Sequence, residues 1–136
     1  MAALHKQKDR NRGFTLIELM IVISLILILV SISIPAYNTS ILRAKESVLL
    51  QNLFTLRSLI SQYTLDKQKA PQALEDLVTA GYIKQIPIDP FTSKNDSWTV
   101  EQEDYALSVD QQDTGITDVH SGSTLISSSG TAYSSW

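Results

Sequence analysis

The sequence predicts an α+β fold: a long N-terminal helix, apolar in its first half and amphipathic in its second, packed on a small antiparallel β-sheet domain. Three observations predict it. From Leu16 to Ile34 the chain runs nineteen residues with Glu18 as the one charge. Leu42, Leu49, Leu53, Leu56, Ile60 and Tyr63 then recur at spacings of 7, 4, 3, 4 and 3, which places them on one helix face. Later, Ser97–Val100 and Tyr105–Val109 are short and β-rich, with turn-like Glu101–Asp104 between them, and read as two antiparallel strands.

The N-terminus is a basic leader, with Lys6, Lys8, Arg10 and Arg12 against Asp9, closing on Gly13. The apolar run that follows is about 28 Å long as a helix, enough for a hydrocarbon core of roughly 30 Å. A helix also satisfies its own backbone hydrogen bonds in lipid. An ordinary secretory signal would carry a shorter apolar core followed by a small-residue cleavage site. Here the glycine precedes the run and Pro35-Ala36-Tyr37 is a poor exit signal, so the helix is expected to be retained. The positive leader places the N-terminus in the cytoplasm and the remainder across the membrane.

Glu18 is costly at a membrane and therefore calls for a partner. Its plain role is to favour the first helical turn through the macrodipole. If the chain is cut after Gly13, however, Phe14 acquires a free amine one turn from Glu18, and the two would pair within a subunit or between neighbours.

Gly13-Phe14-Thr15-Leu16-Ile17-Glu18-Leu19 resembles the class III signal of type IV pilins and type II secretion pseudopilins. The resemblance implies cleavage between Gly13 and Phe14 by a prepilin peptidase, N-methylation of Phe14, and a role for Glu18 in recruiting and registering incoming subunits. Pro35 falls where that family often bends or melts its helix, and its missing N–H predicts a kink or local melting.

The 123 residues after Gly13 are unlike the leader in charge: they carry seven basic and thirteen acidic side chains, and beyond Gln85 only Lys94 stands against eight acids. Phosphate binding needs basic clusters, so nucleic acid is excluded as a partner. About 100 residues outside the membrane suffice for one small domain. There is no cysteine. A periplasmic domain tolerates disulfides, so something else must brace this one.

On the amphipathic half, Arg43, Lys45, Ser47, Arg57 and Ser61 oppose the apolar stripe and read as solvated. Ala70–Gly81 reads as a short helix, with Pro71 in its first turn, Glu75 and Asp76 early, and Gly81 as its stop. Tyr82–Phe91, YIKQIPIDPF, packs two prolines into four residues and predicts an extended, turn-rich path with Asp89 as an Asx-type turn residue. This stretch resembles the Y-[IL]-K-x-[IL]-P-x-D-P-[WF] signature of the G-type major pseudopilin of type II secretion.

Leu107–Ser123 reads as a polar loop in which Asp110, Asp113 and Asp118 fall within nine residues. Such a loop can supply the oxygens a hard cation needs, although the EF-hand spacing is missing. The resemblance implies a calcium ion here, held by aspartates and backbone carbonyls, with Asp110 and Asp118 the stronger candidates, Asp113 the weaker, and Leu107 a carbonyl donor. His120, one of two histidines, reads as a hydrogen-bonding surface residue, and Trp136 as a packing residue. With no histidine–nucleophile pairing to assign, no phosphate-cradling glycine loop and no Cys/His cluster, the chain is not expected to be an enzyme.

The resemblance thus implies a type IV pilin-like fold with a leader at residues 1–13, a transmembrane assembly helix at 14–35 and a periplasmic domain at 36–136. It implies a structural subunit of the type II secretion pseudopilus, a single-pass inner-membrane protein before it polymerises with itself. Its further partners would be minor pseudopilins, the prepilin peptidase, and the inner-membrane assembly platform with its ATPase. The alternatives are a type IV pilin, which usually closes its C-terminal loop with a disulfide that this chain lacks, and a membrane-anchored calcium-binding module that never polymerises.

Overall fold

The computed structural model describes residues 13–108 and 111–136, with side chains placed except at 104–113. The chain divides into two compact units, one ending at Thr39 and one spanning Ser40–Trp136. Helix α1, Leu16–Lys67, contributes to both.

In the first unit, the apolar side chains from Phe14 to Ile34 are exposed. The hydroxyls along it are turned back on the helix. Ser24 donates to the Met20 carbonyl (2.7 Å), Ser31 to Ile28 (2.7 Å) and Ser33 to Leu29 (2.7 Å). Each polar group is thereby satisfied inside a helix whose outer surface is hydrocarbon. The melting expected at Pro35 is absent, because helical backbone continues through it and Thr39 donates to its carbonyl (3.0 Å). Proline removes one hydrogen bond, and the helix to either side carries the rest.

In the second unit the predicted stripe from Leu49 onward is the core, while Leu42 is only half-buried and outside it. Leu49, Leu53, Leu56, Ile60 and Tyr63 are buried against Leu74, Leu77, Ile86, Trp98, Ile116, Val119 and Tyr133. α1 ends at Lys67, beyond which Gln68 takes a left-handed conformation (φ 58°).

Helix α2 is shorter than expected, Glu75–Thr79 rather than all of 70–81. Pro71 lies ahead of it, and the Asp76 carboxylate accepts from the backbone N–H groups of Gln72 (2.8 Å) and Ala73 (3.2 Å), closing a turn in place of a helical start. The predicted stop is present. Gly81 has φ +84°, its N–H bonds the Val78 carbonyl (3.1 Å), and Tyr82 N–H bonds that of Leu77 (3.0 Å). Those two bonds are the Schellman pattern, which favours glycine.

Strands β1, Thr99–Ser108, and β2, Gln111–His120, form a two-stranded antiparallel sheet. Two sequence readings are corrected here. Glu101–Asp104 is not a turn but the middle of β1, and Gln111–His120 is strand where a loop was expected. The pairing of two long strands outweighs the weak β-propensity of the Asp, Glu and Gln residues they contain, and register shifts at Glu101/Gln102 and Ala106/Ser108 accommodate them. After β2 the chain passes close beneath Ser97. A Cβ on Gly122 would overlap the Ser97 carbonyl oxygen, so glycine is required by space. A single bridge, Ile126 to Ala132, precedes the 3₁₀ turn η1, Tyr133–Ser135.

Candidate functional site

At the processing signal, Gly13, Phe14 and Thr15 precede α1, and Phe14 is 83% exposed. The Thr15 hydroxyl accepts from the Glu18 backbone N–H (3.2 Å), and the Thr15 carbonyl accepts from Leu19 N–H (3.2 Å). Thr15 is therefore the N-cap, with Glu18 at the third helical position, the Thr-x-x-Glu order of a capping box. Sequence reasoning gave Glu18 its dipole role but overlooked Thr15, although the T-x-x-E spacing was there to read.

YIKQIPIDPF is held as a structural brace. Asn52 donates to the Ile88 carbonyl (3.1 Å), and the Trp98 indole N–H donates to that of Pro87 (2.8 Å). Asp89 is fully buried and does form the expected Asx turn, its Oδ1 accepting from Phe91 N–H (2.9 Å) while Oδ2 accepts the Ser121 hydroxyl.

Two charged residues of α1 reach across the domain. Glu46 is buried, and its carboxylate accepts from the Ser128 N–H (2.8 Å), the Ser128 hydroxyl (2.7 Å) and the Tyr133 hydroxyl (2.9 Å). The Ser128 backbone N–H, followed by its hydroxyl, holds the Glu46 carboxyl below its ordinary value against the opposing effect of burial. Burial, together with the bond to Glu46, pushes the Tyr133 phenol up to about 12. Arg57, expected to be solvated, instead donates through Nε to Asp118 Oδ1 (2.7 Å) and through one terminal nitrogen to the backbone oxygens of Val119 (3.0 Å) and Trp136. The planar fork of guanidinium suits such a three-acceptor corner.

Asp118 also accepts from Val119 N–H (2.7 Å) at Oδ1, while Oδ2 faces His120 Nε2 at 3.5 Å. Burial raises its carboxyl, but the Val119 N–H and Arg57 outweigh that and leave it below the usual value. His120 further places Nε2 3.0 Å from Glu101 Oε1 and Nδ1 2.9 Å from the Trp136 oxygen. Glu101 and Asp118 are direct cross-strand partners, and His120 lies two residues beyond Asp118 on the same strand face. Sequence reasoning missed Glu101 and His120 as a pair with Asp118, because the hairpin that unites them was not anticipated.

Of the residues expected to hold calcium, Asp118 alone has a described side chain. Leu107 lies on β1 and Asp113 on β2 paired with Tyr105, their side chains undescribed, and Asp110 lies outside the described residues altogether. Around Asp118 the described donors do not suit calcium. One carboxylate oxygen is engaged by a guanidinium and a backbone N–H, and the nearest remaining ligand atom outside the acids is an imidazole nitrogen rather than one of six to eight oxygens.

Residues 8–34 match the family model described as the prokaryotic N-terminal methylation motif. The chain is similar to the type II secretion system core protein G of Escherichia coli K12, at 33% identity over 61% of this chain and 68% of that protein. It is also similar to the core protein G of Vibrio cholerae, at 29% identity over 81% and 88%. The type IV major fimbrial protein FimA of Dichelobacter nodosus is 42% identical over 48% of this chain and 41% of its own. No solved structure gives a significant match.

Proposed function

The chain belongs to the family of the type II secretion system core protein G, and on that footing we propose how its parts serve a pseudopilus. It is a structural subunit, anchored by its N-terminal apolar helix. The leader is removed on the cytoplasmic face by cleavage between Gly13 and Phe14, and Phe14 is N-methylated. Until assembly the subunit sits as a single-pass protein of the inner membrane with residues 36–136 in the periplasm. An assembly platform and its ATPase then move it into a filament of identical subunits capped by minor pseudopilins.

The observation that carries this reading is the apolar surface exposed along the first unit, while the second unit has a core of its own. Such a surface is stable against lipid before assembly and against like helices after it, with burial of apolar area supplying cohesion. The Phe14 amine created by cleavage and the Glu18 carboxylate would be charges stranded in that apolar setting, and their pairing would set register. The Thr15 cap supports the pairing by holding the first turn in which Glu18 stands.

The test is Glu18→Ala in the host, with membrane and sheared filament fractions separated. The variant is expected to insert and be processed normally while filaments fall at least tenfold. Filaments at the normal level would sink the pairing.

A further inference from the structure

Three metal-binding side chains meet at the open end of the hairpin. His120 Nε2 is 3.0 Å from Glu101 Oε1 and 3.5 Å from Asp118 Oδ2, and one ligand atom from each residue lies within 4.8 Å of the others. The ring orientation is fixed from outside the trio. Nδ1 lies 2.9 Å from the backbone oxygen of Trp136, which can only accept, so Nδ1 carries the hydrogen. In the neutral ring, Nε2 then points a lone pair at two carboxylate oxygens. A divalent cation between the three atoms would satisfy them together.

From this arrangement we propose that Glu101, Asp118 and His120 bind a divalent first-row transition ion of the Zn²⁺ type. Zinc bonds of about 2.0–2.1 Å, at angles between octahedral and tetrahedral, separate neighbouring donor atoms by about 2.9–3.4 Å. Of the two edges at Nε2, 3.0 Å falls in that range and 3.5 Å lies just above it. The outer contacts are those that metal sites use to orient ligands. The histidine's second nitrogen donates to a backbone oxygen, and Asp118 Oδ1 is held by Arg57 and Val119 N–H while Oδ2 is left facing inward. A nitrogen and two single carboxylate oxygens suit a borderline ion with an open position for water, and not calcium, which wants more oxygens. The site stands independently of the assembly reading.

The full chain, purified in detergent, is titrated with ZnCl₂ and separately with CaCl₂ by calorimetry, and its visible spectrum is recorded with Co²⁺. The variants are His120→Ala and Glu101→Gln. Glu101 is half exposed and its described partner is His120, so Glu101→Gln tests the site without disturbing the core. One Zn²⁺ per chain, tetrahedral-type cobalt bands, and affinity at least tenfold lower in both variants are expected. No zinc binding, with unfolding temperature indifferent to zinc, would overturn the proposal. Binding unchanged in Glu101→Gln, or calcium bound equally well with or without His120, would overturn it too.

Discussion

The two units differ in how far the polar contacts of α1 reach. Along the first, Ser24, Ser31, Ser33 and Thr39 close on carbonyls three or four residues back. In the second, α1 contributes Asn52, Arg57 and Glu46 to partners 36 to 87 residues away. The first pattern can form in any surroundings, including lipid, because it asks nothing of the rest of the chain. The second exists only when the whole domain has closed. A segment that must serve in two environments is thus self-contained, and a domain that folds in one environment ties itself together through distant polar contacts.

The largest effect expected from breaking this contrast is at Glu46. Glu46→Ala would strand the buried Tyr133 hydroxyl, a loss costing about 1–3 kcal/mol, and would leave the exposed Ser128 N–H and hydroxyl to water. A net destabilisation of roughly 2 kcal/mol is expected in thermal or denaturant unfolding of the full chain. A loss under about 1 kcal/mol would mean that water reaches the Tyr133 hydroxyl too and that the contact is peripheral.

A smaller effect should appear with pH. Glu46 and Asp118 both have carboxyls held below their ordinary values of 4.5 and 3.8. The folded state therefore binds fewer protons than the unfolded chain in that range. Their contribution is complete above about pH 4.5 and is lost as pH falls through the lower folded values. On the alkaline side, the raised Tyr133 phenol contributes fully below its ordinary value of 10.0 and loses that contribution as pH rises toward about 12. Unfolding temperature measured from pH 7 to pH 2 should be level at first and then drop, with a shallower drop in Glu46→Gln. Identical acid profiles for the two proteins would remove Glu46 from the account.

The smallest effect belongs to the other unit. Ser33→Ala removes a hydroxyl whose partner is its own helix, so domain stability should change by less than about 0.5 kcal/mol and membrane insertion should be unaltered. Circular dichroism and membrane fractionation check this. A large change would show that Ser33 has a partner beyond its own turn.

The same contrast explains what was legible in the sequence. The apolar run, the stripe from Leu49 to Tyr63, the stop at Gly81 and the turn at Asp89 are written in neighbouring residues, and each is found where its spacing places it. Membership of the family was legible from short ordered motifs for the same reason. The continuous β1 strand was not, because Glu101–Asp104 carries turn-like residues whose extended form depends on a strand ten or more positions away. Arg57 looked solvated because its three acceptors lie more than sixty residues on. Glu101 and His120 were passed over because only the hairpin register makes them neighbours of Asp118.

The position of Glu46 and Arg57 on the first element of the domain also sets a schedule. Their partners Ser128, Tyr133 and Trp136 are made 79 to 87 residues later. While the chain is being synthesised, the helix can form and begin to collect its apolar partners before its two reaching charges find all of theirs. Contacts of such long separation slow the final closure of a domain. A chain stalled or clipped before residue 128 would present its helix with Glu46 unlocked and Arg57 held by Asp118 and Val119 alone.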